Sequence, residues 1–339
     1  MSFLFPSSTI TFDAALRDLA QGSPKARIAA AQALGDVEDP AEQRQAIDAL
    51  CRALDDDAAE VRAEACAGLG ALGDPQVIAA LVKRLDDGSP GVRQNAAIAL
   101  GTLAHADGFA PLAQALLDGP ADLRFQAATS LAEIDPARAY LPLVAALGDR
   151  DPQVVAAAAL SLGASGDARA VAQLVPQLDH ADAATRFDVA YALAELGCPR
   201  GRDVLVAALG DVDRAWDSVT ALARLATADD AEALGRALIS EHTPPEATVL
   251  AAGAVLKIGP RSAHHDAARR VLLAALTARK TYVRGLAVEQ LGDIGEAWAV
   301  APLEKLGRSG KGAELRDAIG AALRAIAQRT TTAAANGAS

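Results

Sequence analysis

Five histidines, three cysteines and a row of arginines are the residues of this 339-residue chain with the chemistry to build a site. The histidines are His105, His180, His242, His264 and His265. The adjacent pair His264 and His265, followed by Asp266, is a weak metal-binding arrangement. A zinc site draws several His, Cys or carboxylate ligands to one point. No cysteine or second histidine cluster stands at ligand spacing from this pair, so a solvated loop is the expected role. Cys51, Cys66 and Cys198 are scattered and odd in number, with no Cys-x-x-Cys. That pattern fits a reducing compartment without a disulfide framework. No phosphate loop, no Gly-x-Ser-x-Gly and no recognisable Cys–His pair occurs. The sequence therefore predicts a non-catalytic protein without cofactor or metal. The arginines are Arg27, Arg62, Arg93, Arg124, Arg186, Arg284 and Arg316. A row of arginines suits anions, but a row at fixed period points to architecture.

The elements that carry the arginines are marked by a column of leucines seven residues further on. Leu69, Leu100, Leu131, Leu162 and Leu193 stand 31 residues apart, four times in succession. Leu34, Leu222, Val255, Leu291 and Leu323 extend the column in looser register. Such a period means one supersecondary unit stacked about ten times. Residues 88–118 show the unit. Ser89-Pro90 reads as an N-cap followed by proline at the first helical position. Val92, Ala96, Leu100 and Leu103 then fall on one helical face. Asp107-Gly108 reads as a break, and a second helix carries Pro111, Leu112 and Leu116. Each unit is a helical hairpin that buries its apolar face only by stacking on its neighbours.

Consecutive units read VRAEACAGLGALGDPQVIAALVKRL, VRQNAAIALGTLAHADGFAPLAQAL and LRFQAATSLAEIDPARAYLPLVAAL. The run Val-Arg-x-x-Ala-Ala-x-Ala-Leu-Gly-x-Leu-Gly-Asp-Pro, followed by a Pro-Leu helix, resembles the short HEAT-like repeat of phycobilisome-lyase-type proteins. The resemblance covers roughly residues 13–329. It implies an all-α, right-handed α-solenoid of about ten short HEAT-like helical hairpins. Residues 1–12, with three of the six phenylalanines, are expected to cap its N-terminal end, and residues 330–339 to form a disordered tail. The resemblance also implies a ladder in which each arginine pairs with an aspartate of a neighbouring turn, from Asp55, Asp86, Asp118, Asp149 and Asp179. Val155 and Ala215 replace the arginine in two units, where the ladder should weaken. HEAT-type deoxyhypusine hydroxylases carry paired His-Glu motifs, and no histidine here is followed by glutamate.

Composition narrows the partner. Apolar residues make up 51% of the chain and aromatics only 3%. Lys plus Arg is 32 against 43 Asp plus Glu, a net charge of −11, which argues against a nucleic-acid backbone as partner. The opening MSFLFPSSTITF has neither the basic segment nor the long apolar core of a signal peptide. No apolar run reaches the roughly 18 residues of a membrane span. A cytoplasmic protein is expected.

HEAT solenoids line their concave side with the second helix of each hairpin, so by resemblance the arginine-bearing helices form a groove. The positions one, two, five and nine after the arginine should face it. Phe125, Glu133, Leu160, Phe187, Asp188, Tyr191, Glu195, Trp216, Asp217, Arg224 and Lys257 are the candidates there. Four of the eleven aromatics of the chain fall in this set. Aromatic residues carry interface energy well. The acidic rim of Glu133, Asp188, Glu195 and Asp217 would prefer a basic segment of a protein or peptide. The expected function is an interaction scaffold. An apolar aromatic groove also suits a linear tetrapyrrole, the ligand of phycobilin lyases built from similar repeats. The same aromatics could instead fill gaps left by Ala and Gly, and both readings stay open at this point.

Overall fold

The computed structural model describes residues 10–336, apart from His242 and Gly295, and the side chains up to residue 331. Most of the expected N-terminal capping segment therefore lies outside the described residues. Among those described there are twenty α-helices and no strand. The fold is an all-α solenoid. By internal contacts it divides into two compact units, Met1–Gln177 and Leu178–Ser339.

The first unit runs α1 (Phe12–Gln21), α2 (Pro24–Gly35), α3 (Pro40–Ala53), α4 (Ala59–Leu72), α5 (Ile78–Arg84), α6 (Pro90–Leu103), α7 (Ala106–Asp118), α8 (Ala121–Ile134), α9 (Pro136–Ala146), α10 (Pro152–Ala164) and α11 (Ala170–Leu174). The even-numbered helices carry the leucine column and pack on one another in succession. The second unit repeats the scheme with α12 (Ala183–Glu195), α13 (Arg202–Ala208), α14 (Ala215–Leu225), α15 (Ala231–Ala237), α16 (Pro245–Ile258), α17 (His265–Ala275), α18 (Thr281–Ile294), α19 (Val300–Gly307) and α20 (Arg316–Asn336).

Helix ends follow local chemistry. Asp151 and Asp182 accept from backbone N–H groups of the first turns of α10 and α12. Proline occupies the first turn of α2, α3, α6, α9, α10 and α16, where its missing donor costs nothing. The hairpin break of the third unit differs from expectation. It falls at Ala104, in left-handed backbone at φ 48°, and His105 then caps α7 through Nδ1. Asp107 and Gly108 belong to the first turn of α7. The aspartate gains there by facing the positive end of the helix dipole.

The leucine column is the core. Leu69, Leu100, Leu131, Leu162 and Leu193 are each no more than 1% exposed. Each contributes roughly 2–3 kcal/mol of burial. Alanines fill the space between neighbouring helices, and at one point even alanine is too large. The Cα of Gly68 on α4 lies 2.7 Å from where a Cβ on Gly35 of α2 would stand. The two backbones touch there.

The arginine ladder exists, with a corrected aspartate column. Arg27 reaches Asp56 and Asp57, Arg62 reaches Asp87, Arg93 reaches Asp122, and Arg124 reaches Asp149. Of the expected partners only Asp149 is correct. Asp55 pairs with Arg84 instead, and Asp118 accepts from Gln114. The true partner sits next to, or inside, the following N-cap turn, where its carboxylate also accepts a backbone N–H, as Asp87 does from Ser89 and Asp149 from Asp151. In the first unit Asp149 receives the last rung, because Val155 stands where α10 would need arginine. In the second unit Arg186 and Arg284 donate to backbone carbonyls of their own turns, His180 and Ala181 for the former, Ala278 and Arg279 for the latter. The C-terminal helix continues through Asn336, where the sequence predicts a disordered tail from residue 330. Three successive alanines, strong helix formers, extend it, and residues 337–339 lie outside the described residues.

Candidate functional site

Each unit presents its own part of the expected site. In the first, Phe125 on α8 and Leu160 on α10 are exposed, at 39% and 38%, and Ile98 on α6 stands out at 42%. Glu133 is exposed at the end of α8, while Ala156 and Ala157 are buried. The apolar residues of this face stand on three successive helices of the leucine column, α6, α8 and α10.

In the second unit the candidates separate into two groups. The first lies between α12 and α14. Phe187 is not exposed. It is 5% accessible, part of the hydrophobic core, and the Arg214 guanidinium covers its ring at 4.5 Å from the centroid. A cation can lie over an aromatic face with favourable energy, and here it closes the ring off from solvent. Phe187 is thus a packing residue, contrary to the expectation. Asp188 and Tyr191, on the same helix, are half-buried. Burial pushes the Asp188 carboxyl above the usual carboxylate range, with Arg214 opposing and Asp182 and Asp217 adding to the rise. Burial also pushes the Tyr191 hydroxyl up, with Glu195 and Asp217 adding to it. Glu195 pairs with Arg224 at 2.9 Å, tying α12 to α14. Lys257 makes the same kind of tie from α16 to Asp293 of α18 at 3.2 Å. Arg224, Glu195 and Lys257 are therefore partnered within the stack.

The second group opens on α14, α16 and α18. Trp216, 39% exposed, borders a pocket of about 660 Å³ with Pro244, Glu246, Tyr282, Gly285, Leu286 and Glu289. Tyr282, Gly285, Leu286 and Glu289 share one face of α18, by the three- and four-residue spacing of a helix. Glu246 sits in the first turn of α16. It accepts from the Tyr282 hydroxyl, and Lys280 Nζ donates to that hydroxyl at 2.9 Å. The hydroxyl contact holds the Glu246 carboxyl below its ordinary value against the opposing pull of burial, and nearby Lys280 adds to the lowering. Of these lining residues the sequence singled out only Trp216. Gly285, Leu286 and Glu289 occupy positions one, two and five after Arg284, so the same ruler applied one helix further reaches them. Tyr282 and Glu246 sit two positions before the ruler begins.

The histidine pair separates. His264 Nε2 lies 3.0 Å from Glu232 of α15, and His265 is 4.0 Å from both Asp266 and Glu296. Among the described residues no group of three or more His, Cys, Asp or Glu side chains could hold a metal ion. No helix among them is long and apolar enough to cross a membrane.

Comparison with known proteins places this geometry. No curated protein sequence matches the chain significantly. Among solved structures, Kap95p in its complex with RanGDP aligns over 93% of this chain and 52% of its own, at 12% identity and a TM-score of 0.54. Importin β aligns over the same 93% and 52%, at 13% identity and a TM-score of 0.51. The chain thus spans about half the length of these two. The CpcE–CpcF phycocyanin lyase of a Nostoc species aligns over 80% of this chain and 98% of its own, at 22% identity and a TM-score of 0.41. These likenesses concern the fold. A family profile described as HEAT repeats matches residues 14–101, 78–145, 109–186 and 141–223, well over half of the chain. The chain belongs to the HEAT-repeat family.

Proposed function

We propose that the protein is a non-catalytic interaction scaffold of the cytoplasm, which binds a segment of a protein partner on the second unit. The carrying observation is the pocket beside Trp216, bordered by α14, α16 and α18. Buried interface centres are enriched in tryptophan and tyrosine, and here one of each stands exposed at the edge of a cavity. HEAT-repeat membership supports the reading, as does the solenoid likeness to Kap95p, a protein that binds RanGDP. Three free cysteines are compatible with a reducing compartment.

Phe125, Leu160 and Ile98 belong to the same proposal as a second apolar contact face on the first unit. Asp188, Tyr191 and Asp217 supply the polar edge on the second. The test is affinity capture from the native host with wild-type protein and with Trp216→Ala, compared by quantitative mass spectrometry. The proposal expects one or a few proteins to be lost from the variant while its helical circular dichroism is unchanged. An identical captured set removes the pocket from the function.

A further inference from the structure

Among the described residues, five aromatic rings of this protein lie under a cation. Arg138 lies over Phe109 at 4.0 Å from the ring centre, Arg169 over Tyr140 at 4.4 Å, Arg214 over Phe187 at 4.5 Å and Arg269 over Trp298 at 4.5 Å. Lys280 lies over Tyr282 at 5.3 Å. Trp216 is not among these covered rings. It is exposed, it borders a cavity, and among the described residues no cation covers it. Tryptophan is the best aromatic acceptor for a cation.

The cavity supplies the rest of a cation site. Glu289 is exposed on its wall and makes no ion pair among the described residues. Glu246 is charged and held by Tyr282. The ammonium of Lys280 sits 3.7 Å from Glu246 and on the Tyr282 hydroxyl, so the chain already places one positive group at this edge.

We infer that the pocket receives an arginine side chain of the bound segment, its guanidinium stacked on Trp216 and paired with Glu289. This rests on the proposed binding face and names the residue that face reads. Arginine is favoured over lysine because a planar, weakly hydrated guanidinium stacks on an indole while its edge donates to carboxylate. Arg169 makes both contacts inside the chain, over Tyr140 and paired with Asp167.

The chain has two tryptophans, so Trp298→Phe leaves Trp216 as the only fluorophore of its kind. In that background, N-acetyl-arginine amide should change the Trp216 emission saturably in the millimolar range. N-acetyl-citrulline amide, equal in shape and uncharged, should bind at least about tenfold more weakly, the scale of one charge-assisted contact. Glu289→Gln should weaken the arginine probe without altering the citrulline response. Equal binding of the two probes, or no saturable change, overturns the arginine assignment. If Trp216→Ala still loses captured proteins in that case, the binding face stands without it. If capture is also unchanged, both fall.

Discussion

Arg124 offers the sharpest test of what holds the stack together. The residue is 4% exposed, and its guanidinium grips both oxygens of Asp149 at 2.7 Å, while a third donor reaches the Gly119 carbonyl at 2.9 Å. Replacing it with Met keeps most of the apolar stem and strands Asp149, whose side chain is 12% exposed. Breaking a fully buried pair costs about 3–5 kcal/mol. The residual solvent access of Asp149 places this case near the lower end, about 3 kcal/mol. For a unit of this size that is a fall of about 6–12 °C in the first thermal transition, followed by circular dichroism. Arg186→Met, which removes only donations to carbonyls, should cost about 1 kcal/mol. The double variant Arg124→Met/Asp149→Leu should recover most of the loss, because no charge is then stranded. The pH dependence follows from the same pair. The Arg124 contact lowers the Asp149 carboxyl below its ordinary value of 3.8, and burial only partly opposes it. A carboxyl depressed in the folded state stabilises above its unfolded value and loses that contribution as pH falls through the folded one. The gap between wild type and Arg124→Met should therefore be full at pH 7 and close below pH 3.8. A loss of less than about 1 kcal/mol in Arg124→Met, or a double variant no better than the single, refutes the stranded-charge reasoning.

Phe187→Ala should cost about 3–5 kcal/mol by opening a cavity in the second unit, whereas Trp216→Ala should change stability by under about 1 kcal/mol in urea unfolding. Gly35→Ala must push α2 from α4 against backbone and should cost about 1–3 kcal/mol in the same assay. The raised Asp188 carboxyl has the opposite sign to Asp149. The folded state holds its proton more tightly, so stability falls as pH rises through the window above 3.8, and Asp188→Asn should be more stable than wild type at pH 7 with the gain fading in acid. Burial pushes the Cys66 thiol up to about 12, so iodoacetamide at pH 8 should leave it unmodified in the folded protein while Cys198 reacts, as read by peptide mass spectrometry.

What the sequence reveals of this protein tracks what repeats. The leucine positions are buried because every unit must fill the same space, and a fixed interval exposes them without any structure. The arginines are legible for the same reason. Their partners are not. Asp55 and Asp56, or Asp86 and Asp87, are adjacent, and only the turn geometry decides which one points to the neighbour. Phe187 and Trp216 show the limit more plainly. Both follow the arginine position by one residue, yet Arg214 covers the former and, among the described residues, no cation covers the latter. Arg214, the residue just before α14, makes that difference, and it stands at no repeating position. Tyr282 and Glu246 escape a periodic reading because a pocket assembled from residues 36 positions apart leaves no local mark.

Each rung of the ladder points forward: Arg27 finds its aspartate 29 residues on, Arg62 25 residues on, and Arg93 again 29. A repeat thus offers one hand to its successor and accepts one from its predecessor, like links in a chain with a single type of clasp. Excising residues 63–93 would join Arg62 to Gln94 and set it in the register of Arg93, opposite Asp122. The lost clasp takes Asp87 and Arg93 out together, and every remaining hand still finds a match. Copy number is therefore a free variable of the first unit wherever arginine is kept, and Val155 is where that freedom stops.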